Sequence, residues 1–258
     1  RWIRRGIFAR RKMGTSIESE AEVLNILRRG DVELEGQFAR GSNYTFLARV
    51  SLDGQSLLTV YKPIRGEQPL WDFPHRTLAR REAAAYCLSE ALGWGLVPPT
   101  IYRRRKAPLG PGSLQVFIEH DPNRHYFSFS PEEHERLRPA AVFDLLLNNA
   151  DRKGGHLLLD AQEHLWLIDH GLCFNIEPKL RTVIWDFAGQ TIPDDLCGDL
   201  ARVLAMLNGV ESALRAELTA LLSAAEVSAL AERIRSLLED QRFPLPPGSR
   251  RPYPWPPI

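Results

Sequence analysis

Methionine and cysteine are scarce in this 258-residue chain, with two of the first and three of the second. Cys87, Cys173 and Cys197 are odd in number and form no close-spaced pair, which argues against a disulfide scaffold. They read as small buried residues in a reducing cytoplasm. Net charge is also nearly absent: 33 Lys and Arg against 32 Asp and Glu leave a formal charge of +1 at pH 7. No global field therefore points to nucleic acid or an anionic membrane. No run approaches the ~20 apolar residues of a transmembrane helix, because charges interrupt even the Leu/Ala-rich part after Asp199. Neither a secretory signal nor an internal repeat is legible. What is present, 44% hydrophobic and 25% charged residues, suits a folded chain with one large core or two lobes.

Residues 1–12 depart locally from the charge balance, with Arg1, Arg4, Arg5, Arg10, Arg11 and Lys12 interleaved with Trp2, Ile3, Ile7 and Phe8. That pattern suits peripheral contact with a membrane surface or phosphate, and equally a frayed end or a stretch upstream of a start at Met13.

The periodicities predict an α+β fold. A short amphipathic helix over Glu18 to Arg29 stops at Gly30, and three strand candidates follow at Val32 to Phe38, Tyr44 to Leu52 and Ser56 to Tyr61. Asp53-Gly54 supplies a hairpin turn between the last two. Thr77 is placed to cap a helix that ends at Gly93, and Ser113 to Glu119 is a further strand candidate. From Ser130 the texture turns helical, opening with the capping box Ser130-Pro131-Glu132-Glu133. A hairpin from His156 to Ile168 interrupts it, and three helices around Leu196–Leu207, Leu214–Leu222 and Val227–Leu238 close it. The expected division is a strand-rich lobe over residues 1–120, a helical lobe over 121–242 and an extended proline-rich tail over 243–258.

Two acids define the candidate site. Asp151 opens the run Asp151-Arg152-Lys153-Gly154-Gly155-His156, and Asp169 lies after the next hairpin in Leu167-Ile168-Asp169-His170-Gly171. ATP-dependent phosphotransfer needs such an arrangement: one acid to orient the acceptor hydroxyl, a group five positions on to hold metal, and a second acid to hold metal against the phosphates. Asp151 takes the first role, with Lys153 steadying the transferred phosphoryl group, and His156 and Asp169 the metal roles. The phosphates need a cation as well, which points to Lys62 near a strand end, paired with Glu82 twenty residues on in a helix. Before Lys62, Gly41, Ser42 and Asn43 lie between strand candidates where a phosphate-covering loop would sit, although a plain hairpin loop uses the same residues. Gln115, Phe117 and Ile118 lie on the strand expected to cross between lobes and meet adenine.

His156 departs from this scheme, since imidazole favours Mn²⁺, Zn²⁺ or similar ions over Mg²⁺. A competing reading gathers His156, His164, Asp169 and His170, with Asp151 and Asp160, into a metal-dependent hydrolase. It leaves Lys62 and Glu82 without a role. A third reading keeps nucleotide binding without turnover, as in a regulatory pseudokinase.

Taken in order, these motifs resemble the phosphatidylinositol 3- and 4-kinase-like family, especially type II phosphatidylinositol 4-kinases and their bacterial relatives. The resemblance runs from Tyr61-Lys62-Pro63 through Glu82-Ala83-Ala84, Val97-Pro98-Pro99-Thr100 and Gly112 to Phe117, then Asn149-Ala150-Asp151-Arg152, to Ile168–Phe174. It implies a two-lobed kinase-like fold, ATP with Mg²⁺ or Mn²⁺, and transfer to a hydroxyl of an inositol lipid, protein or small molecule. The family places Asn where His156 stands. Arg181, in the segment that follows, is a candidate contact for an anionic acceptor.

Overall fold

The computed structural model describes residues 19–38 and 44–258. Ser19 begins the first helix, α1 (Glu20–Arg29), through a reciprocal capping box with Glu22, so two otherwise orphaned amides are satisfied. Five strands follow the expected hairpin logic: β1 (Asp31–Gln37), β2 (Phe46–Leu52), β3 (Gln55–Pro63), β4 (Thr100–Arg103) and β5 (Gly112–Val116). They make one antiparallel sheet in the order β1-β2-β3-β5-β4. β5 is shorter than its apolar run suggested, because at Phe117 the backbone leaves the ladder after donating its amide to Leu58 O at 2.9 Å.

Gly112 makes the β3–β5 pairing possible beside Lys62. A Cβ there would lie 2.5 Å from the Lys62 carbonyl oxygen and 2.7 Å from the Tyr61 ring, so only glycine lets the strands close. The buried face of the sheet packs Val50, Tyr61, Ile101 and Leu114 against Ile26 and Leu27 of α1.

Between β3 and β4 runs α2 (Leu78–Leu92), buried on nearly every side. Ala83, Ala84 and Ala85 are small enough for the helix to lie against the sheet and the later helices at once. The expected Thr77 cap is not made. Thr77 Oγ1 instead donates to Pro74 O at 2.7 Å, while Glu67 Oε1 accepts the Ala79 amide at 3.0 Å. A carboxylate brought back from the loop after β3 complements the helix dipole better than the local hydroxyl. Gly93 ends the helix in the left-handed conformation, at φ 74°.

Helices make up the regular structure of the rest of the chain apart from one hairpin. α3 (Pro131–Glu135) opens on the Ser130–Glu133 capping box, and α4 (Arg138–Leu147) follows after a break. Then come β6 (Leu157–Leu159) and β7 (Leu165–Leu167), antiparallel to each other. α5 (Asp194–Asn208), α6 (Ala213–Leu221) and α7 (Ala224–Asp240) complete the main core with Leu88, Phe143, Leu200 and Leu230. Ser223 and Glu226 form a reciprocal capping box at the start of α7.

Adjacent residues of α2 tie it to this helical part. Arg81, 1% exposed, donates to Cys173 O and to Glu226 on α7, and Glu82 accepts the His170 amide at 2.9 Å. The proline-rich tail over residues 243–258 has no helix or strand. Phe243 is buried 5.4 Å from the Phe187 ring and exchanges backbone bonds with Gly189 and Gln190. No helix among the described residues is long and apolar enough to cross a membrane.

Candidate active site

A cavity of about 350 Å³ separates the sheet from the helical part, and the two lobes contribute opposite walls. Lys62 enters from β3, Glu82 from α2, Asp151, Lys153 and His156 from the loop after α4, and Asp169 from the turn after β7.

At its centre Lys62 Nζ bonds Glu82 Oε1 and lies 3.0 Å from Asp169 Oδ1. Burial alone would push the Lys62 ammonium toward neutrality, but the Asp169 and Glu82 carboxylates reverse this and raise its pKa. Reciprocally, the Lys62 charge holds Asp169 well below the usual carboxylate range. Asp169 adopts φ 62°, in the left-handed region that Asp tolerates better than most residues.

His156 Nε2 lies 3.4 Å from Asp169 Oδ2. Burial pushes the imidazole pKa down to about 4 despite that carboxylate, so the ring is neutral at physiological pH. Its Nδ1 accepts the Lys153 amide at 3.4 Å, which leaves the proton on Nε2. A hard divalent cation here would be held by Asp169, and His156 would join it only with its proton on Nδ1, in place of the Lys153 contact. The donor set fits one cation bound chiefly through carboxylate oxygen.

Asp151 receives the Lys153 ammonium at 3.2 Å, and burial raises its carboxyl pKa while Lys153 opposes the rise. Its loop is built on a buried network. Arg152 bonds Asp144 through Nε at 3.0 and 3.1 Å, Ile168 O through Nη1 at 2.7 Å and His170 Nε2 through Nη2 at 2.9 Å. Thr182 and Asn149 donate to the same Asp144 carboxylate at 2.9 and 3.0 Å. Asp144 went unnoticed in the sequence although a signal exists: it is the single acid of α4 (Arg138–Leu147), flanked there by apolar residues. Arg181 donates to Ala150 O at 2.7 Å and stays partly exposed beside Asp151.

The remaining sequence candidates are distributed unevenly. Gln115, Phe117 and Ile118 line the cavity, but the Gln115 amide is turned into the sheet, donating to Thr100 Oγ1 at 2.8 Å. Gly41, Ser42 and Asn43 lie outside the described residues, as do residues 1–12. Val60, Leu158, Ile168 and Leu172 add apolar walls that carried no signal beyond ordinary core strands and turns. The hydrolase grouping does not assemble. His164 bonds Gly95 O at 2.9 Å, Asp160 accepts from Trp166 at 2.8 Å, and no three His, Cys, Asp or Glu side chains converge as a metal site among the described residues.

The family model described as phosphatidylinositol 3- and 4-kinase matches residues 75–232, which include Glu82, Asp151, His156 and Asp169. The chain belongs to this family. Lys62 lies before the matched stretch, so its place in this kinase-family chain rests on geometry. A Mycobacterium tuberculosis (strain ATCC 25618 / H37Rv) relative, protein Rv2133c, is 40% identical across 90% of this chain and 94% of its own. Phosphatidylinositol 4-kinase gamma 4 of rice (Oryza sativa subsp. japonica) is 30% identical over 46% of this chain and 27% of its own length. Its Arabidopsis thaliana namesake is 35% identical over 37% and 21%. The kinase-family chain thus spans nearly all of the mycobacterial relative but about a quarter of the plant kinases. The solved structure of hydra Fam20 with sugar superposes with a TM-score of 0.55 at 14% identity, covering 87% of this chain and 90% of that one. At that identity the likeness concerns the fold, which is α+β, two-lobed and kinase-like.

Proposed function

We propose that the chain is an ATP-dependent phosphotransferase that moves the γ-phosphoryl group to a hydroxyl of an inositol lipid, protein or small molecule. The observation that carries this reading is Lys62, its ammonium shared between Glu82 and Asp169 in a cavity that also holds Asp151. Family membership supports it.

On this reading residues up to 120 cover the nucleotide, residues 121–242 carry the catalytic loop and residues 243–258 form the tail. The backbone at Phe117 and Ile118 meets the adenine edge, and Val60, Leu158 and Ile168 sandwich the ring. Lys62 holds phosphate oxygens once the nucleotide arrives, with Glu82 keeping its side chain extended. Asp169, joined by His156, would hold Mg²⁺ or Mn²⁺, which supplies charge neutralisation for the triphosphate. Asp151 accepts the hydroxyl proton and aligns the oxygen for attack, and the ammonium of Lys153 stabilises charge on the transferred group. The raised pKa of Asp151 strengthens it as a base toward the hydroxyl proton.

The test is purified protein incubated with γ-labelled ATP, Mg²⁺ or Mn²⁺, and acceptors of each class. Label transfer supports the proposal. Metal-dependent nucleotide binding with no transfer to any acceptor class reassigns the chain to a nucleotide-binding regulatory module, and absence of nucleotide binding sinks both.

A further inference from the structure

The proline-rich segment returns to the catalytic loop after leaving α7. Pro252 O accepts the Thr182 amide at 3.0 Å and the Trp185 indole at 3.3 Å, Pro254 is buried, and Pro257 O accepts the Gly154 amide at 2.8 Å. Gly154 lies three residues after Asp151 and two before His156. Its other side is covered by Phe127: a Cβ on Gly154 would lie 2.7 Å from Phe127 Cε2, so the ring seats there only because the residue is glycine.

These contacts close a circuit around Asp151. Arg152 donates its amide to Arg181 O at 3.0 Å and accepts that of Val183 at 3.1 Å, an isolated parallel bridge that places the loop beside residues 181–183. Thr182, at the centre of that bridge, passes the connection to Pro252, and Pro257 returns it to Gly154. The stretch after Asp151 is therefore tied at two points, Arg152 to residues 181–183 and Gly154 to the tail. None of the tail residues lines the nucleotide cavity.

We propose that residues 252–257 are a clamp that positions the turn from Asp151 to His156, with Pro257 the positioning residue that acts through Gly154. Proline suits the task. It fixes the backbone of the clamp before docking, so less conformational entropy is lost when the Pro257 carbonyl is presented. The inference rests on the proposed phosphotransfer reading only for its catalytic consequence, since the clamp itself is a backbone contact.

The experiment compares the full chain with a variant lacking residues 252–258 and with Pro257→Gly, which retains the carbonyl but frees its backbone. Amide hydrogen exchange without nucleotide reports the clamp directly. The Gly154 amide should exchange about tenfold faster or more in the shortened chain and by a smaller factor in Pro257→Gly. In the transfer assay kcat should fall about 10- to 100-fold while the KM for ATP stays within about twofold, because the loop and not the nucleotide cavity is misplaced. A synthetic peptide of residues 249–258 should restore both quantities to the shortened chain.

Unchanged Gly154 exchange in both variants overturns the clamp, whatever the activity. Faster exchange with unchanged kcat overturns its positioning role, and so does a rise in the KM for ATP matching the loss in kcat. If the shortened chain fails to fold, as judged by its thermal melt, Pro257→Gly carries the same readings. If the full chain transfers no phosphate, the proposed function fails while the exchange comparison still decides the clamp.

Discussion

Arg152 Nη2 lies 2.9 Å from His170 Nε2, and both side chains are fully buried. An arginine donates only, so His170 must accept at Nε2 and carry its proton on Nδ1. Burial, reinforced by the Arg152 charge, holds the imidazole pKa well below its ordinary value. The protonated Nδ1 faces Glu82 Oε2 at 4.0 Å, and the His170 backbone amide donates to that same oxygen. The loop bearing Asp151 is thereby connected to the Lys62–Glu82 pair through one neutral histidine.

The Asp144–Arg152 pair should dominate stability in this network, since neither side chain is exposed. Asp144→Ala leaves a buried guanidinium without its counter-ion and should cost about 3–5 kcal/mol. Chemical denaturation checks it: a loss below about 1 kcal/mol would show that the buried guanidinium does not depend on this counter-ion.

Lys62→Met and Glu82→Gln separate charge from scaffold. Each should reduce kcat/KM for ATP-dependent transfer by about 10²–10³-fold. Wild-type turnover in Lys62→Met would remove Lys62 from the phosphate site.

Asp151→Asn preserves size and removes the base. Transfer should fall by about 10²–10⁴-fold while ATP affinity, measured by calorimetry, is unchanged. Equal losses in binding and transfer would instead place Asp151 on the nucleotide.

His156→Asn replaces imidazole by the oxygen donor that the family resemblance implies. The ratio of Mn²⁺- to Mg²⁺-supported activity should fall, because an amide oxygen suits the harder ion. An unchanged ratio would show that His156 does not bind the cation.

Thiol chemistry should be slow in the folded protein. Burial pushes the Cys87 thiol up to about 12, with the Glu217 carboxylate adding to it, and complete burial holds the Cys173 thiol well above its ordinary value. Labelling of Cys87 with a thiol reagent should keep accelerating above about pH 10, where a free cysteine of pKa ~8.5 has levelled off, and Cys173 should react only after unfolding. Rapid labelling of Cys173 at pH 7 would contradict the packing around it.

Much of this was written in local sequence. Caps at Ser130 and Ser223, the Asp53-Gly54 turn and the stop at Gly93 depend on neighbours within a few residues, so their chemistry shows in the chain order. The Lys62, Glu82, Asp151 and Asp169 series is legible for a related reason: each stands at an element end or in a helix whose type can be read. Spacing alone, however, does not carry one side chain to another. The Lys62 bridge spans 20 residues to Glu82 and 107 to Asp169, and packing of α2 between sheet and helices decides that these groups meet.

Other features depended wholly on tertiary structure. Thr77 had the right type and position for a cap, but a charged oxygen from Glu67 competes better for the helix amides once the loop after β3 folds back. Asp144 reads as an interruption in an apolar helix until Arg152, Asn149 and Thr182 converge on it. The sequence by itself determined which residues could bear charge, cap a helix or turn the chain, because those are properties of side chains and near neighbours. Tertiary structure decided which charges share a buried site, and with that the protonation of His156 and His170 and the return of Pro257 to Gly154. Burial and long-range contact are what set those energies.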